Sequence, residues 1–194
     1  MIKRCAWAEA NDLLLAYHDQ EWGVPIYDDR LLFELLILEG AQAGLSWLTV
    51  LKRRETYRQA FDNFDPKKIA VYDEQKLQAL LQDQGIIRNR LKIQATLINA
   101  KAFNTIVEET GSFSNYVWGF SSVLENGDPS TATRASEMMS KDMIKKGFKF
   151  VGPTICYAYM QAFGMINDHS TDCFRRAQID AENFEKKSDQ SRPI

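Results

Sequence analysis

Residues 73–109 read DEQKLQALLQDQGIIRNRLKIQATLINAKAFNTIVEE, two helical patterns separated by Gly85-Ile86-Ile87. Asp73 is a typical helix N-cap residue and precedes apolar positions spaced three and four residues apart. The longer pattern runs from Arg88 to about Glu109. Its predicted apolar stripe consists of Leu91, Ala95, Ile98, Ala102 and Ile106. Two helices joined by a short glycine turn indicate an all-α protein.

The turn between these two helices is a candidate contact with the DNA backbone. In a helix-hairpin-helix motif, backbone N–H groups at a helix N-terminus meet a phosphate with help from the helix dipole. Arg88, Arg90 and Lys92 would add sequence-independent attraction. Only Gly85 is present where the usual pattern has two glycines. The alternative is an ordinary corner of a helical bundle, and this turn alone favours that alternative.

The rest of the sequence is also mostly helical in its apolar spacing. Further helices are predicted from about Arg30 to Ala41 with Asp29 as the N-cap, from Ser46 through Trp47 and Tyr57, after Asp65-Pro66, from Ala135 to Lys146, and from Pro153 to Phe163. Residues 120–133 have the composition of a loop. We expect one all-α domain over residues 1–174, with two helical lobes of which the middle one contains the hairpin. A polar, flexible tail is expected over 175–194.

The composition limits the class of protein. The 194 residues are 45% hydrophobic and 11% aromatic, enough for a real core. The sequence has no run of 18 uncharged apolar residues and no signal-peptide pattern, so we expect a cytoplasmic monomer without a membrane segment. The formal net charge of −2 argues mildly against a nucleic-acid partner. Basic residues nevertheless cluster locally at 52–54, 88–92 and 141–149.

The two histidines each lie near a cysteine in the sequence. Cys5 is followed by His18, and His169 is followed by Cys173 at a spacing that can share one helical turn. Two thiolates and two imidazoles complete a tetrahedral zinc without an open position, so such a site would be structural and would tie the chain ends together. The alternative is four unrelated polar or buried residues. The third cysteine, Cys156, lies in an apolar helix and is predicted to belong to the core.

A carboxylate and several aromatic residues form a second candidate site. Glu39 ends a strongly apolar helix. Tyr17 and Trp22 lie in the stretch from Tyr17 to Pro25, and Trp47 ends the stretch from Leu38 to Trp47 that contains Glu39. A buried carboxylate is costly unless it meets a cation or good donors, and aromatic faces suit a flat, electron-poor ring. Core aromatics with a capping or salt-bridged glutamate would explain the same residues.

On these residues the chain resembles the bacterial 3-methyladenine DNA glycosylase I family of constitutive alkylation-repair enzymes. The resemblance extends from Cys5 to Cys173. Its motifs are Tyr17-His18-Asp19 with Glu21-Trp22-Gly23, the stretch from Glu39 to Trp47, Gly85-Ile86-Ile87-Arg88, and Gly147-Phe148-Lys149-Phe150-Val151-Gly152.

The resemblance implies a helix-hairpin-helix glycosylase fold that excises 3-methyladenine from double-stranded alkylated DNA and releases the free base. It implies one structural Zn²⁺ held by Cys5, His18, His169 and Cys173. The implied base-binding residues are Trp7, Tyr17, Trp22, Glu39 and Trp47, with Glu39 also catalytic. The implied DNA contacts are Gly44, Leu45, Gly85, Ile86, Ile87 and Arg88.

Two features of the hairpin region separate this chain from other helix-hairpin-helix glycosylases. The hairpin has no lysine where bifunctional members keep their nucleophile, which predicts base excision without strand cleavage. No aspartate lies between Arg88 and Gly111, where the broader superfamily places a catalytic one. Two alternatives to an enzyme remain. One is a non-catalytic helix-hairpin-helix DNA-binding protein stabilised by zinc, and the other is a helical scaffold for protein–protein contacts. Glu39 beside Trp47 argues against the first, and the arginines near Gly85 argue against the second.

Overall fold

The computed structural model describes residues 2–125 and 128–181, and these ranges contain helices and no β-strand. The α-helices are α1 (Asp12–Gln20), α2 (Asp29–Gln42), α3 (Trp47–Leu51), α4 (Arg54–Ala60), α5 (Pro66–Ile69), α6 (Glu74–Gln82), α7 (Arg90–Thr110), α8 (Phe113–Trp118), α9 (Pro129–Lys145) and α10 (Pro153–Ala162). Short 3₁₀ helices cover Ala6–Ala10, Asp62–Phe64 and Gly119–Val123. The predicted all-α class is confirmed for the described chain. None of the helices in these ranges has the length and apolar character needed to cross a bilayer.

The chain divides into two compact units. The small unit contains the residues up to Pro25 and those from Gln161 onward, so it is built from both ends of the sequence. The large unit contains Ile26–Met160. The candidate metal ligands therefore lie in the small unit, whereas Glu39 and the hairpin lie in the large unit.

Helix α2 begins one residue earlier than the sequence predicted. The side chain of Asp28, not Asp29, caps it by accepting from the N–H of Leu31 at 2.9 Å. Asp29 instead accepts from the backbone N–H groups of Phe113 at 2.9 Å and Ser114 at 2.7 Å, the first residues of α8. Asp28 therefore caps α2, and Asp29 binds the N-terminus of α8. The local sequence does not reveal which of the two aspartates caps α2.

Helix α7 is the longest helix of the large unit, and its buried face differs from the predicted stripe. Leu91 is 67% exposed and Ile98 is 40% exposed, so these two assignments were wrong. The buried side chains of α7 are Ile93, Ala95, Thr96, Leu97, Asn99, Ala100, Ala102, Phe103 and Ile106. Because α7 contacts several helices, its buried surface is wider than one stripe, and Leu91 and Ile98 share the remaining outer face.

Two further boundaries differ from the sequence prediction. The helix that begins after Ser46 ends at Leu51, and α4 begins separately at Arg54. The predicted loop over 120–133 is shorter than expected because α9 begins at Pro129. Asp128 caps α9 by accepting from the N–H of Ser130, and proline suits the first helical turn because it has no N–H to satisfy.

The small unit joins the two chain ends through main-chain and side-chain contacts. The backbone N–H of Phe174 donates to the carbonyl of Lys3 at 3.0 Å. Residues 174–181, which include the start of the expected polar tail, form a helix in which Ile179 is fully buried. The remainder of the expected tail, 182–194, lies outside the described residues.

Candidate functional site

The four predicted metal ligands come together in the small unit. Cys5, His18, His169 and Cys173 are all buried, and their ligand atoms lie within 4.8 Å of one another. The Sγ–N distances are 3.6 Å from Cys5 to His169 Nδ1, 3.4 Å from Cys173 to His18 Nε2 and 3.5 Å from Cys173 to His169 Nδ1. His18 Nε2 and His169 Nδ1 are 3.1 Å apart.

These distances fit a tetrahedral ion with two sulfur and two nitrogen ligands. Bonds of about 2.3 Å to sulfur and 2.0–2.1 Å to nitrogen give edges of about 3.5 Å between sulfur and nitrogen and about 3.3 Å between the two nitrogens. The observed spacings are close to these values. The donor set is therefore suited to zinc and, with four protein ligands, to a closed structural site.

The elements that carry the ligands differ from one another. Cys5 precedes the 3₁₀ helix Ala6–Ala10, and His18 lies in α1. His169 and Cys173 were expected on one helical turn, but they lie in an irregular segment that precedes the helix over 174–181. The N–H of Cys173 donates to the carbonyl of Ser170 at 2.9 Å, and this tight turn brings the two ligands together.

Each histidine makes an outer hydrogen bond that orients its ring. His18 Nδ1 is 2.7 Å from Asp19 Oδ1, and His169 Nε2 is 3.1 Å from the carbonyl of Trp22. Because those acceptors take the ring N–H, they leave His18 Nε2 and His169 Nδ1 as the lone-pair donors that face the cluster. Burial also lowers the pKa of the His169 imidazole, which favours the neutral, ligating form.

Asp19 and Arg4 support the cluster and were not among the predicted site residues. Arg4 Nε and Nη2 donate to both oxygens of Asp19 at 2.9–3.1 Å. This guanidinium lowers the pKa of Asp19 and keeps it an acceptor for His18. The position of Asp19 directly after His18 was a usable sequence signal, since carboxylate–histidine pairs commonly accompany metal sites.

The three predicted base-binding residues of the small unit lie close to the ligand cluster. The rings of Trp7 and Trp22 meet edge-to-face at 5.1 Å, and the rings of Trp7 and Tyr17 are 6.5 Å apart. Trp22 also packs against the ring of His169 at 4.5 Å. Tyr17 is buried, Trp22 is half-buried and Trp7 is 37% exposed. These residues therefore pack around the candidate metal ligands, and Trp7 still presents surface to the outside.

Glu39 lies in the last turns of α2 in the large unit and is 4% exposed. Its Oε2 has no hydrogen-bond partner within the described residues. Burial raises the pKa of its carboxyl from 4.5 to about 8. A buried oxygen without a partner is costly for the folded protein, and such groups are expected where a ligand supplies the missing partner.

Gly44 and Leu45 lie in the turn between α2 and α3, just before Trp47. Gly44 has a φ of +77°, and a side chain is strained in this left-handed conformation. Leu45 is 42% exposed. Ser46 caps α3 by accepting from the N–H of Thr49 at 3.2 Å, and this cap fixes where Trp47 begins the helix.

Two hydrogen bonds to side chains of α4 fix the hairpin between α6 and α7. Thr56 Oγ1 donates to the carbonyl of Gly85 at 2.6 Å, and the N–H of Ile87 donates to the Tyr57 hydroxyl at 3.2 Å. The side chain of Ile86 is buried, so it can contact a ligand only through its main chain. Arg88 is exposed. The hairpin thus presents Arg88 and backbone outward on a fixed support.

Comparison with known proteins identifies the family. A family model described as methyladenine glycosylase matches residues 7–176. The chain is 48% identical over 179 residues to DNA-3-methyladenine glycosylase 1 of Escherichia coli (strain K12), covering 89% of this chain and 96% of that protein. The chain belongs to the methyladenine glycosylase family.

Solved structures of methyladenine glycosylases have the same fold. A crystal structure of 3-methyladenine DNA glycosylase I matches with a TM-score of 0.82 at 49% identity, covering 89% of this chain and 98% of that one. A Staphylococcus aureus 3-methyladenine DNA glycosylase I, whose structure concerns recognition of 3-methyladenine, matches with a TM-score of 0.79 at 36% identity. That match covers 89% of this chain and 96% of that chain. The family expected from the sequence is confirmed.

Proposed function

We propose that this protein is a monofunctional DNA glycosylase that hydrolyses the N-glycosidic bond of 3-methyladenine in double-stranded alkylated DNA. Membership of the methyladenine glycosylase family supports the reaction. The observation that carries the assignment to a site is Glu39, a buried carboxyl of which one oxygen has no partner among residues 2–125 and 128–181. The direct test is the release of free 3-methyladenine from methylated duplex DNA.

The chemistry of the substrate reduces what the enzyme must supply. Methylation at N3 leaves the adenine ring positively charged, and departure of the base neutralises it. The ring is therefore a good leaving group without protonation. The protein must extrude the nucleotide from the stack, which costs a few kcal/mol and less for a damaged pair, and must then bind the cationic ring in a reactive position.

Glu39 is proposed as the residue that recognises the positive charge. A cation near a carboxyl favours its ionised form, so the substrate base would draw Glu39 from the neutral state toward the carboxylate. The unpartnered Oε2 would then accept a hydrogen bond from the exocyclic amine of the ring. Aromatic faces suit a flat cation, and Trp47, which lies in the same unit as Glu39, is proposed as a base-binding aromatic residue. The base-binding roles of Trp7, Tyr17 and Trp22 stay predictions from the sequence.

The pH dependence of excision follows from the raised pKa of Glu39. Below about pH 8 the free enzyme holds Glu39 mainly protonated, so the reactive carboxylate fraction falls about tenfold per pH unit. We expect kcat/KM on methylated duplex DNA to rise from pH 6 toward 8 and then level off. In Glu39→Gln the same rise should be absent. A wild-type profile that is flat over this range would contradict charge recognition by Glu39.

The hairpin and the turn at 44–45 are proposed as the DNA contacts of a helix-hairpin-helix motif. The backbone of Gly85, Ile86 and Ile87 and the side chain of Arg88 would meet phosphates. Gly44 and Leu45 would approach the DNA where the base leaves the stack. The exposed Arg88 and the fixed hairpin support the first part, and the exposed Leu45 on a left-handed glycine turn supports the second.

Arg88→Ala should weaken duplex binding equally for all DNA sequences. Losing one phosphate contact should also reduce the slope of log affinity against log salt by about one unit, because fewer counterions are released. Arg134→Ala is the matched control, since it removes an exposed arginine from α9. Equal affinities and salt slopes for wild type and Arg88→Ala would show that the hairpin is an ordinary corner of a helical bundle and does not contact DNA.

The Cys5, His18, His169 and Cys173 cluster is proposed to hold one structural Zn²⁺. The zinc would add folding free energy by linking the two chain ends, and it would take no part in the reaction because four protein ligands leave no open position. Cys5, Cys156 and Cys173 form no disulfide, which fits the reducing cytoplasm proposed as the location of this monomeric enzyme.

A further inference from the structure

Lys92 lies in the first turn of α7, four residues after Arg88, and its side chain reaches the end of α2. Asn89 caps α7 by accepting from the N–H of Lys92 at 3.2 Å. The Lys92 Nζ donates to the main-chain carbonyls of Ala41 and Ala43, each at 2.7 Å. The sequence predicted that Lys92 attracts phosphates, but two of its three ammonium donors are already used inside the protein.

The two carbonyls that Lys92 binds belong to the C-terminal end of α2. Carbonyls at a helix C-terminus lack intrahelical partners and carry the negative end of the helix dipole, so an ammonium group there is favourable. Ala41 lies two residues after Glu39, and Ala43 directly precedes Gly44. Lys92 is half-buried, and this loss of water lowers the pKa of its ammonium. The two carbonyls replace part of the lost water shell.

The turn after α2 is held by further hydrogen bonds. The N–H of Leu45 donates to the carbonyl of Gln42 at 2.6 Å, and Ser46 caps the following helix. The hairpin is likewise fixed, since α4 holds both of its ends. Lys92 is therefore a direct side-chain link between the start of α7, which follows the hairpin, and the turn that carries Leu45.

We propose that Lys92 is a positioning residue that couples binding of the DNA backbone at the hairpin to insertion of the Gly44–Leu45 turn. The inference rests on the proposed DNA contacts of these two segments. With the ammonium in place, a duplex held at the hairpin meets Leu45 at a set distance and orientation. Without it, the hairpin still binds phosphates, but the turn no longer enters the stack in a fixed geometry.

The test compares Lys92→Met, Lys92→Arg and Leu45→Ala in the full chain. Lys92→Met keeps the aliphatic stem and removes the donors, while Lys92→Arg keeps a charged donor that can reach carbonyls. The probe for insertion is a duplex with a tetrahydrofuran abasic site opposite 2-aminopurine, whose fluorescence reports unstacking. Duplex affinity, single-turnover excision of 3-methyladenine and binding of the free base are measured on the same variants.

We expect Lys92→Met to lower the fluorescence change and the single-turnover rate roughly tenfold or more, with duplex affinity reduced less than about threefold. Free 3-methyladenine should bind as in wild type, and Lys92→Arg should recover most of the rate. An equal loss in free-base binding and excision would overturn the proposal, because Lys92 would then only support the fold around Glu39. Unchanged fluorescence and rate in Lys92→Met would also overturn it.

Leu45→Ala separates this inference from the proposed function. If Leu45→Ala lowers the fluorescence change but Lys92→Met does not, the turn inserts and the role of Lys92 is wrong. If Leu45→Ala has no effect while wild type still releases 3-methyladenine, the inserted turn and the role of Lys92 are both wrong, and the glycosylase activity stands.

Discussion

Cys173→Ala is expected to lower the melting temperature by at least about 10 °C and to leave the purified protein without stoichiometric zinc. Zinc bound by such donor sets contributes about 10–16 kcal/mol to the folding of small domains, and each kcal/mol shifts the melting temperature of a chain of this size by about 2–4 °C. A strong chelator should lower the melting temperature of wild type and leave that of Cys173→Ala unchanged.

Cys156→Ala is the matched control for the metal site. Cys156 is also a fully buried cysteine, but it lies in α10 of the large unit and is not one of the clustered ligands. Its replacement should leave the zinc content at one per chain and cost much less stability than Cys173→Ala, because it deletes only one buried sulfur and its hydrogen bond to the Val151 carbonyl. Folded, active wild type that contains no metal by elemental analysis, or equal melting temperatures for the two variants, would show that the cluster is only a packed core.

Glu39→Gln is expected to stabilise the protein and to slow excision. The folded state holds the Glu39 proton up to about pH 8, whereas the unfolded chain loses it near 4.5. The folded state therefore binds more protons between these values, and wild type loses stability as the pH rises through that window. The difference is on the order of 3 kcal/mol at pH 7 and vanishes near pH 4. Glutamine removes this titration and keeps the size of the side chain.

Glu39→Gln is expected to lose activity even though it gains stability. Without the carboxylate, recognition of the cationic ring loses a charged hydrogen bond worth about 1.5–3 kcal/mol. Excision at pH 8 should therefore fall roughly 10- to 150-fold, while the melting temperature at pH 7 rises on the order of 10 °C. Thermal melts across pH 4–9 and single-turnover excision measure the two effects.

Glu34→Gln is the control for a buried glutamate in α2. Glu34 is as buried as Glu39 but accepts from Arg54 at 2.6 Å and Arg58 at 2.8 Å. Removing its charge takes the shared buried carboxylate away from Arg54 and Arg58, so this variant should lose stability. A Glu39→Gln variant that melts at or below wild type at pH 7–8 would contradict an unpartnered, desolvated carboxyl at position 39.

The ligand cluster and the helical class could be predicted from the sequence. The first follows from the few histidines and cysteines in the chain, and the second from the helical spacing of its apolar residues. Two histidines paired with two cysteines limited the choice of ligands, and the structure brings all four together. Their support could not be predicted in the same way. His169 and Cys173 meet through an irregular turn instead of a helix, and the role of Arg4 depends on a contact across 15 residues.

Burial across several faces was the main source of error in the helices. Leu91 and Ile98 fit an apolar stripe, but α7 packs against several neighbours and places polar Thr96 and Asn99 inside. Asn99 is buried because its side chain pairs with the main chain of Lys149 through two hydrogen bonds of 3.0 and 2.7 Å. Such a tertiary partner overrides the local pattern.

The character of Glu39 also required the structure. The sequence indicated partial burial from the leucines around it. It could not show that one oxygen would lack a partner in the described part of the chain while Glu34 would have two arginines. Both glutamates lie in the same apolar helix. The contrast depends on which residues of α4 approach α2, and that approach is a property of the tertiary fold.

The most direct measurement is chromatography of the bases released from methylated duplex DNA by the zinc-loaded protein. We expect wild type to release 3-methyladenine without cleaving the strand, and Glu39→Gln to release it far more slowly at pH 8 while remaining folded. Folded, metal-loaded wild type that releases no 3-methyladenine would contradict the proposed activity.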